Sequence, residues 1–287
     1  MVSNSSRLYL VDDSELQQVG SRASFLQYVR QLFELSSFIY LDARTRAFSS
    51  GQGTFLGKLW LILTPICQVS VYALVFGAML HTSRGIDNFV GFLALGVILF
   101  GFISKSLNSS AGLVRRSRGF AATFGFPKAS LVLSLSIRQS LDNLVPFIVS
   151  ILFALALQPS KAPGVALLLC IPLYALTVLF NLGLSFIVAR ATHTIPDLKS
   201  IISIGTRGLF FLSGVFYSIE KFQTHPLLEQ LVLRNPIYQF LSAVRSCVLD
   251  ATSPSVETWF YLSTWSVALL LLGFVYFWQA EERYAAD

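Results

Sequence analysis

The chain has 287 residues, 54% of them hydrophobic and 13% charged, with a mean hydropathy of +0.65. Soluble globular domains carry about 25% charged residues, so this composition excludes that class and predicts an integral membrane protein. The formal net charge is +6. We attribute the surplus to the Lys and Arg that membrane proteins keep on the cytoplasmic side, and not to nucleic-acid binding.

The sequence predicts neither a metal site nor a disulfide framework. Its three cysteines and three histidines are scattered, and two of the cysteines lie within apolar runs, so no metal-ligand spacing is present. These residues are Cys67, Cys170, Cys247, His81, His193 and His225.

The N-terminal region divides into a polar tail and an amphipathic helix. Residues 1–23 are Ser-rich and acidic, unlike a secretory signal, so we predict a mobile tail that stays in the cytoplasm. Within residues 24–50 the apolar side chains share one half of a helical projection, whereas Gln27, Arg30 and Glu34 face the other way. Such a helix can lie in the cytoplasmic interface of the membrane or pack on a soluble partner, and both interpretations stay open.

Six apolar segments are long enough to cross a hydrocarbon layer of about 30 Å. They cover residues 59–80, 89–107, 131–157, 165–188, 201–218 and 258–278. The third contains Arg138, Asp142, Asn143 and Pro146, so we expect its first part to lie at the interface. Arg138 and Asp142 are four residues apart and can neutralise each other. With thirteen Lys and Arg in the inner segments and five in the outer ones, the charge distribution predicts that both termini are cytoplasmic.

The segment between the fifth and sixth spans, residues 220–257, contains two amphipathic stretches. They cover residues 227–233 and 237–249 and are separated by Asn235 and Pro236. Each is too short to cross the membrane. We therefore predict two re-entrant half-helices in the outer leaflet, whose ends must be shielded by protein or by a water-filled cavity.

The sequence lacks the residues that an energy-converting site would need. The stretch Gly53 to Lys58 is one residue short of a phosphate loop, and Leu59 stands where Ser or Thr would bind magnesium. Acidic residues within the spans are too few for a proton relay, which disfavours an ion-coupled pump. We predict that the chain is not an enzyme, holds no cofactor or metal, and receives its energy from outside. Within the basic loop at residues 113–128, residues 113–124 are the candidate lever, although their arginines can equally bind lipid headgroups.

Four stretches carry a recognisable pattern. They are LGKLWLILTPICQVSVYALVFG at residues 56–77, NSSAGLVRRSRGFAATFGFPKASL at residues 108–131, the inner loop with Pro196 and Asp197, and RNPIYQFLSAVR at residues 234–245. Together they resemble the ABC-2 type permeases, specifically the subunits that export lipid-linked polysaccharides such as O-antigens, teichoic acids and galactan. The second stretch is similar to the coupling segment of that family. The inner loop departs from the family pattern, because Pro196 stands where an Arg is usual.

The resemblance implies an all-α fold of six transmembrane helices, with the permease domain at residues 51–287, in the cytoplasmic membrane of a bacterium. It implies a homodimer bound to two copies of an ATP-binding cassette subunit, which would hold ATP and magnesium. The substrate would be a lipid-linked polysaccharide, and the other partners membrane lipids, not nucleic acid. A coupling helix at about residues 113–124 would contact the ATPase, and residues 220–257 would form an outer gate.

Candidate residues follow from these assignments. For ATPase coupling they are Arg115, Arg116, Arg118, Phe120, Phe124, Phe126, Pro127 and Lys128. Because sugar rings stack on aromatic faces, aromatic residues in the spans are candidates for the glycan path, namely Tyr72, Phe76, Phe100, Phe210, Phe211 and Phe216. For the outer gate they are Asn235, Pro236 and Arg245. Two alternatives stay open: an ABC-2 efflux permease for small hydrophobic drugs or lipids, and a non-transport membrane scaffold or channel component.

Overall fold

The structure is a computed structural model that describes residues 24–47, 57–72, 74–75, 86–117, 126–159, 164–217 and 226–286. All regular elements in these ranges are helical and none is a strand, as the predicted all-α class requires. In chain order the helices are α1 (Phe25–Glu34), α2 (Ser36–Arg46), α3 (Trp60–Tyr72), α4 (Phe89–Ser110), α5 (Leu113–Arg116), α6 (Ala129–Ala156), α7 (Cys170–Thr194), α8 (Leu198–Leu212), α9 (Pro226–Leu233), α10 (Pro236–Arg245), α11 (Val256–Trp278) and α12 (Glu281–Ala286).

Four helices are long and apolar enough to cross a membrane. They are α4 with 22 residues, α6 with 28, α7 with its preceding 3₁₀ turn as Val165–Thr194 with 30, and α11 with 23. The chain is therefore a multi-pass membrane protein. In the predicted first and fifth spans, α3 and α8 have 13 and 15 residues, whereas a span needs about 20. The six-span arrangement stays a prediction, and residues 76–85 lie outside the described ranges.

The predicted single helix at residues 24–50 is divided in two. Ser24 opens α1 with a capping box, in which its hydroxyl accepts the Gln27 N–H and the Gln27 side chain accepts the Ser24 N–H. The break at Leu35 directly precedes two serines, whose hydroxyls compete with the helix for backbone hydrogen bonds. Tyr28 on α1 and Ile39 on α2 are buried. The division gives each short helix its own contact with the bundle.

The predicted third span is one continuous helix, α6, and Arg138, Asp142 and Asn143 all lie within it. The position of its first part at the membrane interface stays a prediction. The carboxylate of Asp142 lies 3.7 Å from the Arg138 guanidinium and 3.8 Å from the Lys105 ammonium group. Two nearby cations make this buried carboxylate tolerable in the apolar layer. Pro146 also lies within α6, as bundles of transmembrane helices permit.

Helices α7 and α11 approach so closely that glycine is required at their crossing. A Cβ atom added to Gly183 would lie 2.5 Å from the carbonyl carbon of Leu269, and one added to Gly273 would collide with the carbonyl oxygen of Gly183. Small residues at such crossings let the two backbones meet directly. This contact fixes the last span against the rest of the bundle.

Candidate functional site

The start of the predicted coupling segment is bound to the ends of two long helices. Arg115 donates from Nε and Nη2 to the carbonyl oxygen of His193, at 3.1 and 2.8 Å. Arg116 donates to the carbonyl oxygens of Ala111 at 2.8 Å and Ser109 at 2.7 Å. Carbonyl groups at a helix C-terminus carry partial negative charge, so cations there are stabilising. Each arginine therefore closes the C-terminal end of a span, α7 or α4, a role that the sequence pattern did not reveal.

The end of the coupling segment lies between α2 and α12. The Phe126 ring contacts the Phe38 ring of α2, with centroids 5.2 Å apart, and Pro127 is buried. The backbone N–H of Lys128 donates to Glu281 Oε1 at 2.8 Å. Only the first helical turn of the predicted coupling helix, α5, is described. The remaining candidates, Arg118, Phe120 and Phe124, lie outside the described residues.

Two further residues lie at the junction where the coupling segment meets α6, and they were not among the candidate coupling residues. The hydroxyl of Tyr28 donates to Glu281 Oε2 at 2.7 Å and accepts the N–H of Ala129 at 3.1 Å. Burial raises the pKa of the Glu281 carboxyl and also that of the Tyr28 hydroxyl. The sequence offered only weak signals for them, an acidic residue just after the last span and a polar group on the apolar face of α1.

The candidate path residues meet in one aromatic cluster, which comprises Tyr72 of α3, Phe100 of α4, Phe210 and Phe211 of α8, and Phe216. Phe210 lies at its centre, with ring centroids 5.8 Å from Tyr72, 5.1 Å from Phe100 and 4.7 Å from Phe216. Phe216 is 4% exposed, whereas Phe211 is 59% exposed. Phe76 lies outside the described residues. The structure thus brings together five residues that the sequence placed on three separate predicted spans.

One face of α8 is open along its length. Ile201, Ile204 and Phe211 are exposed on it, and Gly205 and Gly208 have nothing within 4 Å of an added Cβ. These positions recur every three or four residues, so they share one side of the helix. The aromatic cluster reaches this face through Phe211.

The predicted outer-gate residues bind the turn that follows α8. Arg245, at the end of α10, is 5% exposed and donates to the carbonyl oxygens of Phe92 at 3.2 Å, Gly214 at 2.8 Å and Val215 at 2.9 Å. Its guanidinium carbon also lies 3.3 Å from the centroid of the Phe92 ring. Among the described residues no carboxylate forms an ion pair with it. Burial of an arginine among carbonyl groups could not be foreseen from its place in a predicted outer segment.

The turn itself is shaped by glycine and by the second gate candidate. Gly214 has a positive φ of 64°, and an added Cβ would lie 2.8 Å from the Tyr238 ring. The Asn235 amide donates to the Ser213 hydroxyl at 3.1 Å, while its oxygen accepts the Ile237 N–H at 3.0 Å. Pro236 is the first residue of α10, where the missing N–H costs nothing. The two short helices lie where half-helices were predicted, and their depth in the membrane stays a prediction.

Comparison with known proteins shows the family of the chain. The family model described as ABC-2 type transporter matches residues 46–249. The O-antigen export system permease protein RfbA of Myxococcus xanthus is 24% identical over 262 residues, which are 91% of this chain and 98% of that protein. Because the family model matches most of the chain, the chain belongs to the ABC-2 type transporter family, as a multi-pass transmembrane permease.

Proposed function

We propose that the chain is the transmembrane subunit of an ATP-driven exporter that moves a lipid-linked polysaccharide, of the O-antigen, teichoic acid or galactan type, across the bacterial cytoplasmic membrane. The aromatic cluster carries this proposal. Sugar rings stack on aromatic faces, and the cluster joins buried rings to the exposed Phe211 on α8. A permease named for O-antigen export that aligns over nearly its whole length supports the same substrate class.

Energy comes from a partner in this proposal. ATP and magnesium are held by two copies of an ATP-binding subunit on the cytoplasmic side, and the permease itself hydrolyses nothing. The coupling segment contacts this partner. Its start is fixed by Arg115 and Arg116 to the ends of two spans, so a displacement of the segment reaches both α4 and α7.

A second copy of the chain completes the path in this proposal. The open face of α8 offers apolar side chains, and its two glycines allow another helix to approach closely. A homodimer packed beside this face would place two aromatic clusters around one passage. In this proposal both termini lie in the cytoplasm, as the distribution of Lys and Arg predicts.

The outer end of the passage is closed by the segment that contains α9 and α10. Arg245 and Asn235 bind it to the turn after α8, through hydrogen bonds to Gly214, Val215 and Ser213. Opening this gate requires those hydrogen bonds to break or to move with the turn as one unit.

The test begins with purification of the chain from its native membranes in mild detergent and identification of the proteins that copurify. We expect a stoichiometric ATP-binding subunit. After reconstitution into proteoliposomes, ATP hydrolysis should rise when lipid-linked glycan extracted from the same membranes is added, and the glycan should cross the bilayer. A response to small hydrophobic compounds alone would overturn the polysaccharide assignment in favour of an efflux permease. A chain that purifies alone and inactive would indicate a scaffold or channel component.

A further inference from the structure

The C-terminal helix α12 contacts the end of the coupling segment directly and its start through His193 of α7. At the start, the backbone carbonyl of His193 accepts two hydrogen bonds from the Arg115 guanidinium. The His193 ring contacts the Tyr284 ring edge-on, with centroids 4.8 Å apart. At the end, the Lys128 N–H donates to Glu281. Glu281 and Tyr284 are three residues apart in α12, so they lie on neighbouring turns of one side. α12 therefore binds the end of the segment directly and packs against the residue of α7 that holds its start.

Glu281 and Tyr28 accept hydrogen bonds from backbone N–H groups at the N-terminus of α6. The first N–H groups of a helix have no acceptor within the helix. Lys128 is the N-cap residue of α6, and its own side chain makes no capping hydrogen bond. Glu281 accepts the Lys128 N–H, and Tyr28 accepts the Ala129 N–H. The carboxylate also faces the positive end of the helix dipole, which favours a negative charge there.

These hydrogen bonds lie in a closely packed setting, in which Glu281 and Lys128 are half-buried and the bond from Ala129 to Tyr28 is buried. Tyr28 is 1% exposed and Tyr284 is 4% exposed. The Tyr284 ring packs on the Phe277 ring with centroids 4.9 Å apart, and its hydroxyl donates to the Phe277 carbonyl at 3.3 Å. Hydrogen bonds that do not compete with water are stronger and hold their geometry better. The point where the coupling segment becomes α6 is thus fixed to α1 and to α12.

We propose that Glu281 and Tyr28 are positioning residues for ATP coupling: they hold the end of the coupling segment, so that its displacement by the ATPase moves α6, α1 and α12 together. This inference rests on the proposed function. It assigns to the C-terminal helix a part in energy transmission, in addition to the segment that touches the partner. Without the two side chains, the backbone N–H groups of Lys128 and Ala129 lose their acceptors. Displacement of the coupling segment is then not transmitted to α6.

The test compares Glu281→Ala, Glu281→Gln and Tyr28→Phe in the reconstituted complex of permease and copurified ATPase. The measured quantity is glycan exported per ATP hydrolysed, with glycan extracted from the native membranes as the substrate. We expect Glu281→Ala to lower this ratio about tenfold, the factor that loss of one charge-assisted hydrogen bond gives, while ATP hydrolysis persists. Glu281→Gln keeps an oxygen for the Lys128 N–H and should restore most of the ratio. Tyr28→Phe removes one hydroxyl without a change of shape and should give an intermediate ratio.

The matched control is Glu34→Ala on α1, because the Glu34 carboxylate pairs with Arg30 at 3.0 Å and both side chains are exposed. It removes the same charge without touching the junction and should leave the ratio unchanged. If Glu281→Ala fails to assemble, Tyr28→Phe still tests the inference. A lower yield with an unchanged ratio in the assembled complexes would show that the junction only supports folding and would overturn the inference.

Failure of this inference differs from failure of the proposed function. If the wild-type complex exports glycan with ATP and all three variants do the same with a normal ratio, the junction has no role in coupling and the exporter assignment stands. If the wild-type complex exports no glycan, the proposed function itself is wrong.

Discussion

The guanidinium group of Arg245 donates to the carbonyl oxygen of Gly214 at 2.8 Å, although 31 residues separate them along the chain. This hydrogen bond joins the end of α10 to the turn after α8. Because the same side chain also binds Phe92 and Val215, one cation holds together three parts of the chain at the predicted outer end of the bundle.

Replacement of Arg245 by Met should destabilise this outer end. The substitution leaves three carbonyl oxygens without their hydrogen-bond donor, which should lower the free energy of unfolding by about 3 kcal/mol. We expect a lower thermal unfolding temperature of the purified chain and a higher passive leak of small solutes from proteoliposomes. Arg234→Met removes an exposed arginine from the same segment and should change neither quantity. An unchanged leak in Arg245→Met would argue against a gate at this position.

Two members of the aromatic cluster should respond differently to truncation. Phe216 is 4% exposed, so Phe216→Ala should cost about 3 kcal/mol of stability through the cavity it leaves. Phe211 is 59% exposed, so Phe211→Ala should spare stability and lower the rate of glycan export. Phe260→Ala on α11 is the control, since Phe260 is 75% exposed and far in sequence from the cluster. Equal export by the Phe211 and Phe260 variants would remove Phe211 from the path.

Charge reversal at the coupling segment should have two separable effects. In Arg115→Glu a negative charge replaces the cation at the C-terminal end of α7, which should cost about 1 to 2 kcal/mol of stability. The triple change of Arg115, Arg116 and Arg118 to Glu should in addition uncouple ATP hydrolysis from export, with membrane insertion intact. Hydrolysis and export are measured on the same reconstituted sample. Arg30→Glu on the exposed side of α1 is the control, and normal export by the triple variant would contradict the coupling role.

The close crossing of α7 and α11 predicts a strong effect of one methyl group. Gly183→Ala would place a Cβ 2.5 Å from the Leu269 backbone, and relief of that clash should cost about 2 kcal/mol or more. Gly101→Ala on α4 meets nothing within 4 Å and should be neutral or stabilising by up to about 1 kcal/mol. Unfolding of both variants in detergent, followed against denaturant concentration, measures the difference. Equal stability would show that the helices separate easily at this crossing.

The raised pKa of Glu281 gives a pH dependence with a definite sign. Burial raises the pKa above its usual value, while the hydrogen bonds from Lys128 and Tyr28 and the charge of Lys128 oppose this shift. The folded chain therefore takes up the proton more readily than the unfolded chain. The stabilising contribution of the protonated carboxyl is complete below the usual pKa and is lost as the pH rises through the raised pKa.

Glu281→Gln cannot titrate at this position. The difference in unfolding temperature between this variant and the wild type therefore reports the titration of Glu281 alone. It excludes the titratable neighbours, which are Tyr28, Lys128, Tyr284 and His193, the last of which packs on Tyr284. We expect the variant to gain stability relative to the wild type as the pH rises from about 4 to about 8. A difference that does not change with pH would show that Glu281 does not titrate in this range.

The sequence by itself determined the membrane class, the family and the approximate bounds of most helices. Hydropathy and helical periodicity are local properties, so the apolar runs that became α4, α6, α7 and α11 could be recognised without knowledge of their neighbours. Asn235 and Pro236 likewise marked the boundary between α9 and α10, because capping and proline act within one turn. The spacing of Arg138 and Asp142 also predicted their pairing, because residues four apart share a helix face, whereas the second cation beside Asp142, Lys105 on α4, could not be read from the local sequence.

Only the tertiary structure decided which side chains meet. Glu281 binds the N–H of Lys128 across 153 residues, and no property of either local sequence announces that pairing. Arg245 looked like an ordinary outer charge until the turn after α8 supplied three carbonyl acceptors. The aromatic cluster required the relative rotation of α3, α4 and α8, which depends on how whole helix faces pack and not on composition. Long-range contacts depend on the packing of many residues at once. For that reason the tertiary structure shows them, whereas local hydropathy and helical periodicity do not.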